Sequence, residues 1–200
     1  MNRNFARSLS LVLEHAGGWS DHPKDPGGAT MKGVTLATFR RYVKQNATKA
    51  DLRNITDEQL ASIYKLQYWD AVAGDYLPDG VDYATFDFAV NSGPPRAAKY
   101  LQDVVSVAQD GEIGPATLKA VKASTGVIDK LCDDRMAFLK RLDTWPTFGK
   151  GWTRRVSGVR AEALKMAASS KPAKIEPQPI PDGNWLSRLI QALAALFQRK

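Results

Sequence analysis

The sequence predicts a mainly α-helical protein with one small β-hairpin or loop close to its N-terminus. Apolar residues recur at helical spacing through most of the chain, and turn-forming Gly and Pro residues separate the helical segments. The chain has 200 residues, of which 44% are hydrophobic. That length suffices for one well-buried main domain and an appendage.

Glycine residues mark the end of the first predicted helix and the turns in the segment after it. An apolar stripe at positions i, i+4, i+7, i+8 and i+11 predicts a helix that ends at Gly17-Gly18. Its members are Phe5, Leu9, Val12, Leu13 and Ala16. The Asp-Pro-Gly-Gly and Lys-Gly turns between Trp19 and Val34 favour a loop or a small hairpin over a long strand.

The remaining helices follow from capping residues and periodicity. Thr35 is predicted to cap a helix through Val43, and Thr56, followed by two acids and Gln59, begins a helix that runs to about Trp69. Further helices are predicted over residues 79–91, from the Gly93-Pro94-Pro95 break through 105, and over 115–123, 127–142 and 152–168. Only the early loop is a candidate for β structure, which makes the domain mainly α.

The C-terminal part of the chain differs in composition from the rest. Residues 169–183 contain four prolines and few apolar residues, so they are predicted to form an extended linker. Residues 184–200 then predict an amphipathic helix with an apolar stripe that begins at Trp185. Two roles are open for this helix: docking on the body or on a partner subunit, or attachment to a membrane interface.

Charge and cysteine content limit the classes of partner and of metal site. A net charge of +7 favours anionic partners, but the excess is spread thinly, which argues against a nucleic-acid groove. A single cysteine, Cys132, rules out an internal disulfide and is predicted to be a buried structural thiol. Neither a signal-peptide core nor 18 consecutive apolar residues occur, so we expect synthesis in the cytoplasm and an unconventional route to any cell-wall substrate.

The segment from Leu13 to Thr35 has the composition of a catalytic site that has lost its acid. Hydrolysis of a glycosidic bond needs a carboxylic acid kept protonated against apolar surface at the edge of a cleft. Position 16 is such a place, but Ala16 occupies it. Asp25 and Thr30 lie in the glycine-rich loop, where they can face position 16 across a cleft.

This segment resembles the muramidases of glycoside hydrolase family 108. The family motif runs Glu-Gly-Gly, several residues, then Asp-x-Gly-Gly-x-Thr-x-x-Gly, and the chain matches it with Gly17-Gly18 and Asp25-Pro-Gly-Gly-Ala-Thr-Met-Lys-Gly33. Residues 86–93, 101–102 and 110–117 are similar to the helical region that follows in the family, often called a peptidoglycan-binding domain. The resemblance therefore implies a lysozyme-like domain over residues 1–168, with a catalytic part at 1–75 and a peptidoglycan-binding-like part at 76–168.

The resemblance also implies residue roles and a substrate. The family's catalytic Glu maps to Ala16; Asp25 and Thr30 would support the transition state or direct water during cleavage of the β-1,4 bond between N-acetylmuramic acid and N-acetylglucosamine. No cofactor is implied, and the glycan strands of peptidoglycan are the expected partner. Ala16 is either an engineered change or the mark of a natural pseudoenzyme, and Glu14 cannot replace the acid because two helical residues rotate a side chain by about 200°.

Several other residues are candidates for substrate binding, each with a structural alternative. Asp21 and His22 contact sugar hydroxyls or cap the loop, while Asn91 reaches the cleft floor or caps the Gly93 turn. Aromatic residues stack on sugars or belong to the core: Trp19, Tyr64, Tyr68 and Trp69. Gly28 belongs to the glycine-rich turn and completes the substrate-binding set. No third ligand joins His15 and His22 at metal spacing, so no metal site is predicted.

Two other functional classes remain open at this point. A lytic transglycosylase also needs one acid but no water-directing carboxylate. A non-catalytic wall-binding or secretion-associated protein would carry Ala16 by nature.

Overall fold

Helices joined by short turns make up most of residues 4–22 and 28–169, the part of the chain that the computed structural model describes. The helices are α1 (Phe5–Leu13), α2 (Leu36–Tyr42), α3 (Lys49–Arg53), α4 (Asp57–Tyr64), α5 (Val81–Ser92), α6 (Pro94–Val104), α7 (Pro115–Ala123), α8 (Val127–Lys140) and α9 (Trp145–Ser169). The strands are β1 (Thr30–Met31) and β2 (Val34–Thr35). The prediction of a mainly α protein with a small hairpin is confirmed.

Chain contacts divide the molecule into a unit over Met1–Ser170 and a second over Lys171–Lys200. The predicted amphipathic helix at 184–200 lies outside the described residues, as does the predicted linker apart from its first residue. Within the described residues, no helix has both the length and the apolar character that a membrane span requires.

Threonine caps position the helices around the hairpin. Thr35 ends β2 and caps α2, its hydroxyl oxygen accepting a hydrogen bond from the Thr38 amide at 3.1 Å. Thr56 and Gln59 form a reciprocal capping box at the start of α4. This helix continues to Trp69, as predicted, but its last five residues form a π-helical turn, Lys65–Trp69.

Helix α5 lies at the centre of the core. Every residue from Val81 to Ala89 is buried, so this helix is apolar around most of its circumference and packs on several neighbours. Phe86 makes edge-to-face contacts with Phe5 of α1 and with Trp69 of the π turn, at centroid distances of 6.0 and 5.4 Å. Those contacts tie the N-terminal helix and the segment after α4 to the helical bundle.

A buried ion cluster joins α5 to the last two helices. Asp87 on α5 accepts hydrogen bonds from Arg135 of α8 at 2.6 Å and from Arg155 of α9 at 2.8 Å. Burial alone would raise the pKa of this carboxyl group, but the two guanidinium groups outweigh burial and hold its pKa below the usual value. Cys132 of α8, three residues before Arg135, is buried, as predicted. Burial raises the pKa of its thiol.

Two predicted helix boundaries are wrong. Helix α1 ends at Leu13 rather than at Gly17-Gly18, because the amides of His15 and Ala16 bond three residues back and tighten the last turn. Helix α9 begins at Trp145, seven residues before the predicted start. Pro146 is tolerated there because the first helical turn needs no amide donor.

Candidate active site

The hairpin that follows the glycine-rich loop is built on a tight two-residue turn. Thr30 pairs with Thr35 and Met31 with Val34, which leaves Lys32 and Gly33 as the turn. Both have left-handed backbone conformations, with φ of 47° and 77°. A turn with two positive φ values matches the right-handed twist of the strands, so the Lys-Gly pair fixes the hairpin locally.

A second pairing closes the loop that precedes the hairpin. The Ser20 amide donates to the Thr30 carbonyl at 2.9 Å, and the Thr30 amide donates to the Ser20 carbonyl at 2.8 Å. The chain therefore leaves and returns at one point, with nine residues between the two anchors. Asp25 lies midway along them and outside the described residues, whereas Gly28 is described and has a φ of 67°.

Position 16 lies just before this closure. Ala16 is half-buried, so its side chain borders the protein surface rather than the interior, and its amide bonds to the Leu13 carbonyl at 3.1 Å. A methyl group built on Gly17, Gly18 or Gly28 would meet no described atom within 4 Å. Among the described residues, therefore, nothing crowds the backbone at these three glycines.

Two of the predicted substrate-binding residues are engaged by cations of α3. The Arg53 guanidinium lies over the ring of half-buried Trp19, 4.9 Å from the centroid. Asp21 is exposed and forms a salt bridge with Lys49 at 3.0 Å. Trp19 and Asp21 lie three and five residues after position 16. Arg53 already covers one face of the Trp19 ring, and Lys49 already pairs with the Asp21 carboxylate. His22 is exposed next to Asp21.

Tyr64 of α4 and Tyr68 of the π turn differ in exposure: Tyr64 is buried, whereas Tyr68 is partly accessible. Tyr64 is 2% exposed, and its hydroxyl donates to the Lys32 carbonyl at the hairpin tip, at 2.9 Å. Burial raises its pKa to about 12, so this hydroxyl remains a donor. Tyr68 packs on Tyr64 with ring centroids 5.5 Å apart and stays half-buried, while Trp69 belongs to the core.

The hairpin is held against α4 at two points. Besides the bond from Tyr64, the Lys32 ammonium pairs with Asp57 at the start of α4, at 3.2 Å. Gly33 makes the first contact possible, since a Cβ atom there would lie 2.6 Å from the Tyr64 hydroxyl oxygen. The position of Thr30, two residues before the turn, is therefore set by α4.

Asn91 lies with the buried ion cluster. Its side-chain oxygen accepts hydrogen bonds from Arg135 at 3.4 Å and from the Ser92 hydroxyl at 3.3 Å. Sequence reasoning missed both this connection and the contact between Tyr64 and Lys32. The Lys32-Gly33 pair indicated a turn but not its contact with Tyr64, which is 32 residues away from Lys32, and nothing local marks the contact between Asn91 and Arg135.

The described residues include no group of three or more His, Cys, Asp or Glu arranged to hold a metal ion. A bundle of helices with one small hairpin defines a lysozyme-like helical domain. Residues 9–93 match the sequence model of the family described as Glycosyl hydrolase 108.

A solved structure supports the same assignment. The chain is similar to SagA of Brucella abortus, with 51% sequence identity and a TM-score of 0.74, over 84% of this chain and 97% of that chain. The chain therefore belongs to glycosyl hydrolase family 108, which places it among peptidoglycan hydrolases of the glycosidase type. No curated protein sequence matches it.

Proposed function

We propose that this chain has the framework of an N-acetylmuramidase that cleaves the β-1,4 bond between N-acetylmuramic acid and N-acetylglucosamine, and that Ala16 leaves it inactive or nearly so as it stands. The observation that carries the proposal is the pair of hydrogen bonds between Ser20 and Thr30. They close the glycine-rich loop four residues after position 16. Four residues span at most about 14 Å, so position 16 lies close to that junction.

A glutamate at position 16 would have the surroundings of a general acid. The site is half-buried after an apolar helix, and partial desolvation raises the pKa of a carboxyl group. Such a group can hold its proton near neutral pH and deliver it to the leaving glycosidic oxygen. Asp25, with Thr30, would stabilise positive charge on the sugar or direct the attacking water.

Restoring the acid tests this proposal directly. We expect Ala16→Glu to raise the rate of reducing-end release from purified peptidoglycan by about 100-fold to 10,000-fold, the usual contribution of proton-transfer catalysis. Ala16→Gln is the matched control, because it adds nearly the same volume without an acidic proton. If the folded Glu variant is no more active than the Gln variant, the muramidase proposal is wrong.

The products separate the proposal from its enzymatic alternative. Hydrolysis leaves reducing sugar ends, whereas a lytic transglycosylase leaves 1,6-anhydro ends that mass spectrometry of the released muropeptides identifies. Anhydro products from the Ala16→Glu protein would favour the transglycosylase.

A non-catalytic wall-binding role is favoured by one observation, Ala16 itself. In that case the chain would sediment with peptidoglycan while the Ala16→Glu variant remained inactive. Because peptidoglycan lies outside the cytoplasmic membrane, either role requires export or lysis to bring the protein to the wall. Contact of residues 184–200 with a membrane or with secretion machinery belongs to this proposal, and liposome flotation with and without them tests the membrane part.

A further inference from the structure

Helix α3 approaches the start of the glycine-rich loop with two cations, Lys49 and Arg53. They are four residues apart, so they project from the same side of the helix. The Lys49 ammonium lies 3.0 Å from both carboxylate oxygens of Asp21. The Arg53 guanidinium lies 4.9 Å from the ring centroid of Trp19. The two contacts therefore fall on the residues immediately before and after Ser20.

Ser20 is the residue whose backbone closes the loop. Its amide and its carbonyl both pair with Thr30, and we call this pair the Ser20–Thr30 bridge. It is an isolated bridge rather than part of a longer ladder, so its persistence depends on what holds the flanking residues. Trp19 is half-buried and packs against the hydrophobic core. The guanidinium over its ring therefore acts on a side chain that already has a fixed place.

Helix α3 is also tied to the other side of the hairpin. Thr35, the strand partner of Thr30, caps α2. Arg40 of α2 donates a hydrogen bond to the Ala47 carbonyl, just before α3, at 2.9 Å. Leu52 of α3 is fully buried and fixes the helix in the core. The contacts thus run from Thr30 through α2 to α3, and they return to the bridge through the two cations of α3.

We propose that Lys49 and Arg53 are positioning residues for the candidate active site. They hold Ser20 against Thr30, and so they set where the Thr30 side chain lies relative to position 16, four residues before Ser20. Neither residue needs to touch the substrate for this role. Its catalytic meaning rests on the proposed muramidase function, whereas the holding of the bridge does not.

The exposure of the two contacts indicates a local effect rather than a global one. The side chains of Lys49 and Asp21 are 60% and 34% exposed, and Arg53 is exposed as well. Exposed ion pairs and exposed cation–π contacts contribute little to the stability of a whole domain. Opening of one bridge needs far less free energy than unfolding, so the same contacts change its population noticeably.

Hydrogen exchange at the two amides of the bridge tests this role on the parent chain. NMR measures their exchange rates under conditions in which exchange reports the opening equilibrium. We expect both rates to rise about twofold to fivefold in Lys49→Gln and in Arg53→Gln, the range for one exposed charge contact, and about fourfold or more in the double variant. Circular dichroism should show that each variant remains folded. Unchanged rates in the double variant would overturn the proposal.

Two controls separate positioning from a general loss of charge. Lys165→Gln breaks an ion pair with Glu162 on α9, whose side chains are 67% and 26% exposed, and it should leave both amides unchanged. The double variant Asp21→Lys/Lys49→Asp restores an ion pair with its ends exchanged, so its amides should exchange more slowly than those of Asp21→Lys alone. Equal acceleration in Lys165→Gln, or no slowing by the exchanged pair, would contradict the assignment.

Turnover in the Ala16→Glu background gives a readout that a purely structural role would not move. Adding Lys49→Gln and Arg53→Gln should lower the maximal rate of reducing-end release about tenfold, because displacement of a reacting group by about 1 Å costs up to about 100-fold. The peptidoglycan concentration at half-maximal rate should change by less than about twofold. A rise in that concentration at an unchanged maximal rate would mean direct substrate contact and would overturn the positioning role. If Ala16→Glu is inactive, the muramidase proposal fails, while amide exchange still decides whether α3 holds the bridge.

Discussion

Replacing Asp87 by asparagine should destabilise the protein strongly, because it leaves two buried cations without a counter-charge. The Asp87 side chain is fully buried, and the side chains of Arg135 and Arg155 are 2% and 15% exposed. Breaking a buried ion pair by removing one partner costs about 3–5 kcal/mol. For a domain of this size each kcal/mol lowers the melting temperature by about 2–4 °C, so the expected fall is about 6–20 °C.

Asp133→Asn is the matched control for this measurement. Asp133 also pairs with an arginine, Arg160, but its side chain is 67% exposed. Exposed pairs contribute about 0–1 kcal/mol, so the melting temperature should fall by no more than about 4 °C. Thermal unfolding followed by circular dichroism compares the two variants, and urea unfolding gives the free energies. Similar losses in both variants would refute the argument that burial of the cluster sets its contribution.

The pH dependence of the same cluster has a definite sign. Burial raises the pKa of Asp87, but the two arginines outweigh burial and hold this pKa below its value in the unfolded chain. Its contribution to stability is therefore present above about pH 4 and is lost as the pH falls through the lowered pKa. We expect the difference in free energy of unfolding between the parent protein and Asp87→Asn to persist at neutral pH and to close only in acid.

Three further predictions concern the hairpin, a helix contact and a second buried acid. Tyr64→Phe removes the hydrogen bond to the Lys32 carbonyl, so the amides of Ser20 and Thr30 should exchange hydrogen faster. Unchanged exchange would contradict the conclusion that α4 holds the hairpin in place. Gly80→Ala should lower the melting temperature far more than Gly93→Ala, since both have positive φ but only at Gly80 would a Cβ atom lie 2.1 Å from a backbone oxygen. Burial raises the pKa of Asp82 to about 6, so its contribution to stability is lost as the pH rises from about 4 to 6. Urea unfolding at several pH values should show this decrease in the free energy of unfolding for the parent protein but not for Asp82→Asn.

Local signals in the sequence predicted most of the helices. Thr35 and Thr56 fix their helix starts through hydrogen bonds within three residues, and Pro115 opens α7 where predicted. The π turn at Lys65–Trp69 was not predictable, because it alters helical register without altering composition. It depends on Trp69 reaching the aromatic contacts of α1 and α5, which are distant in sequence.

The candidate site was predictable only in part for the same reason. The Lys32-Gly33 turn and the glycine-rich loop are local features, and the hairpin forms where they indicated. Partners of the candidate residues come from elsewhere in the chain: Lys49 for Asp21, and Arg135 for Asn91. Pairs separated by 28 and 44 residues leave no pattern in a single sequence.

The double hydrogen bond between Ser20 and Thr30 allows the enclosed loop to be lengthened. The bond joins backbone atoms, and doubling the length of a flexible loop costs only about 0.6 kcal/mol. An insertion that keeps Asp21, which pairs with Lys49, the proposed catalytic Asp25 and the buried Ala29 would leave the scaffold in place. The same framework can thus be engineered toward wall polymers of other composition.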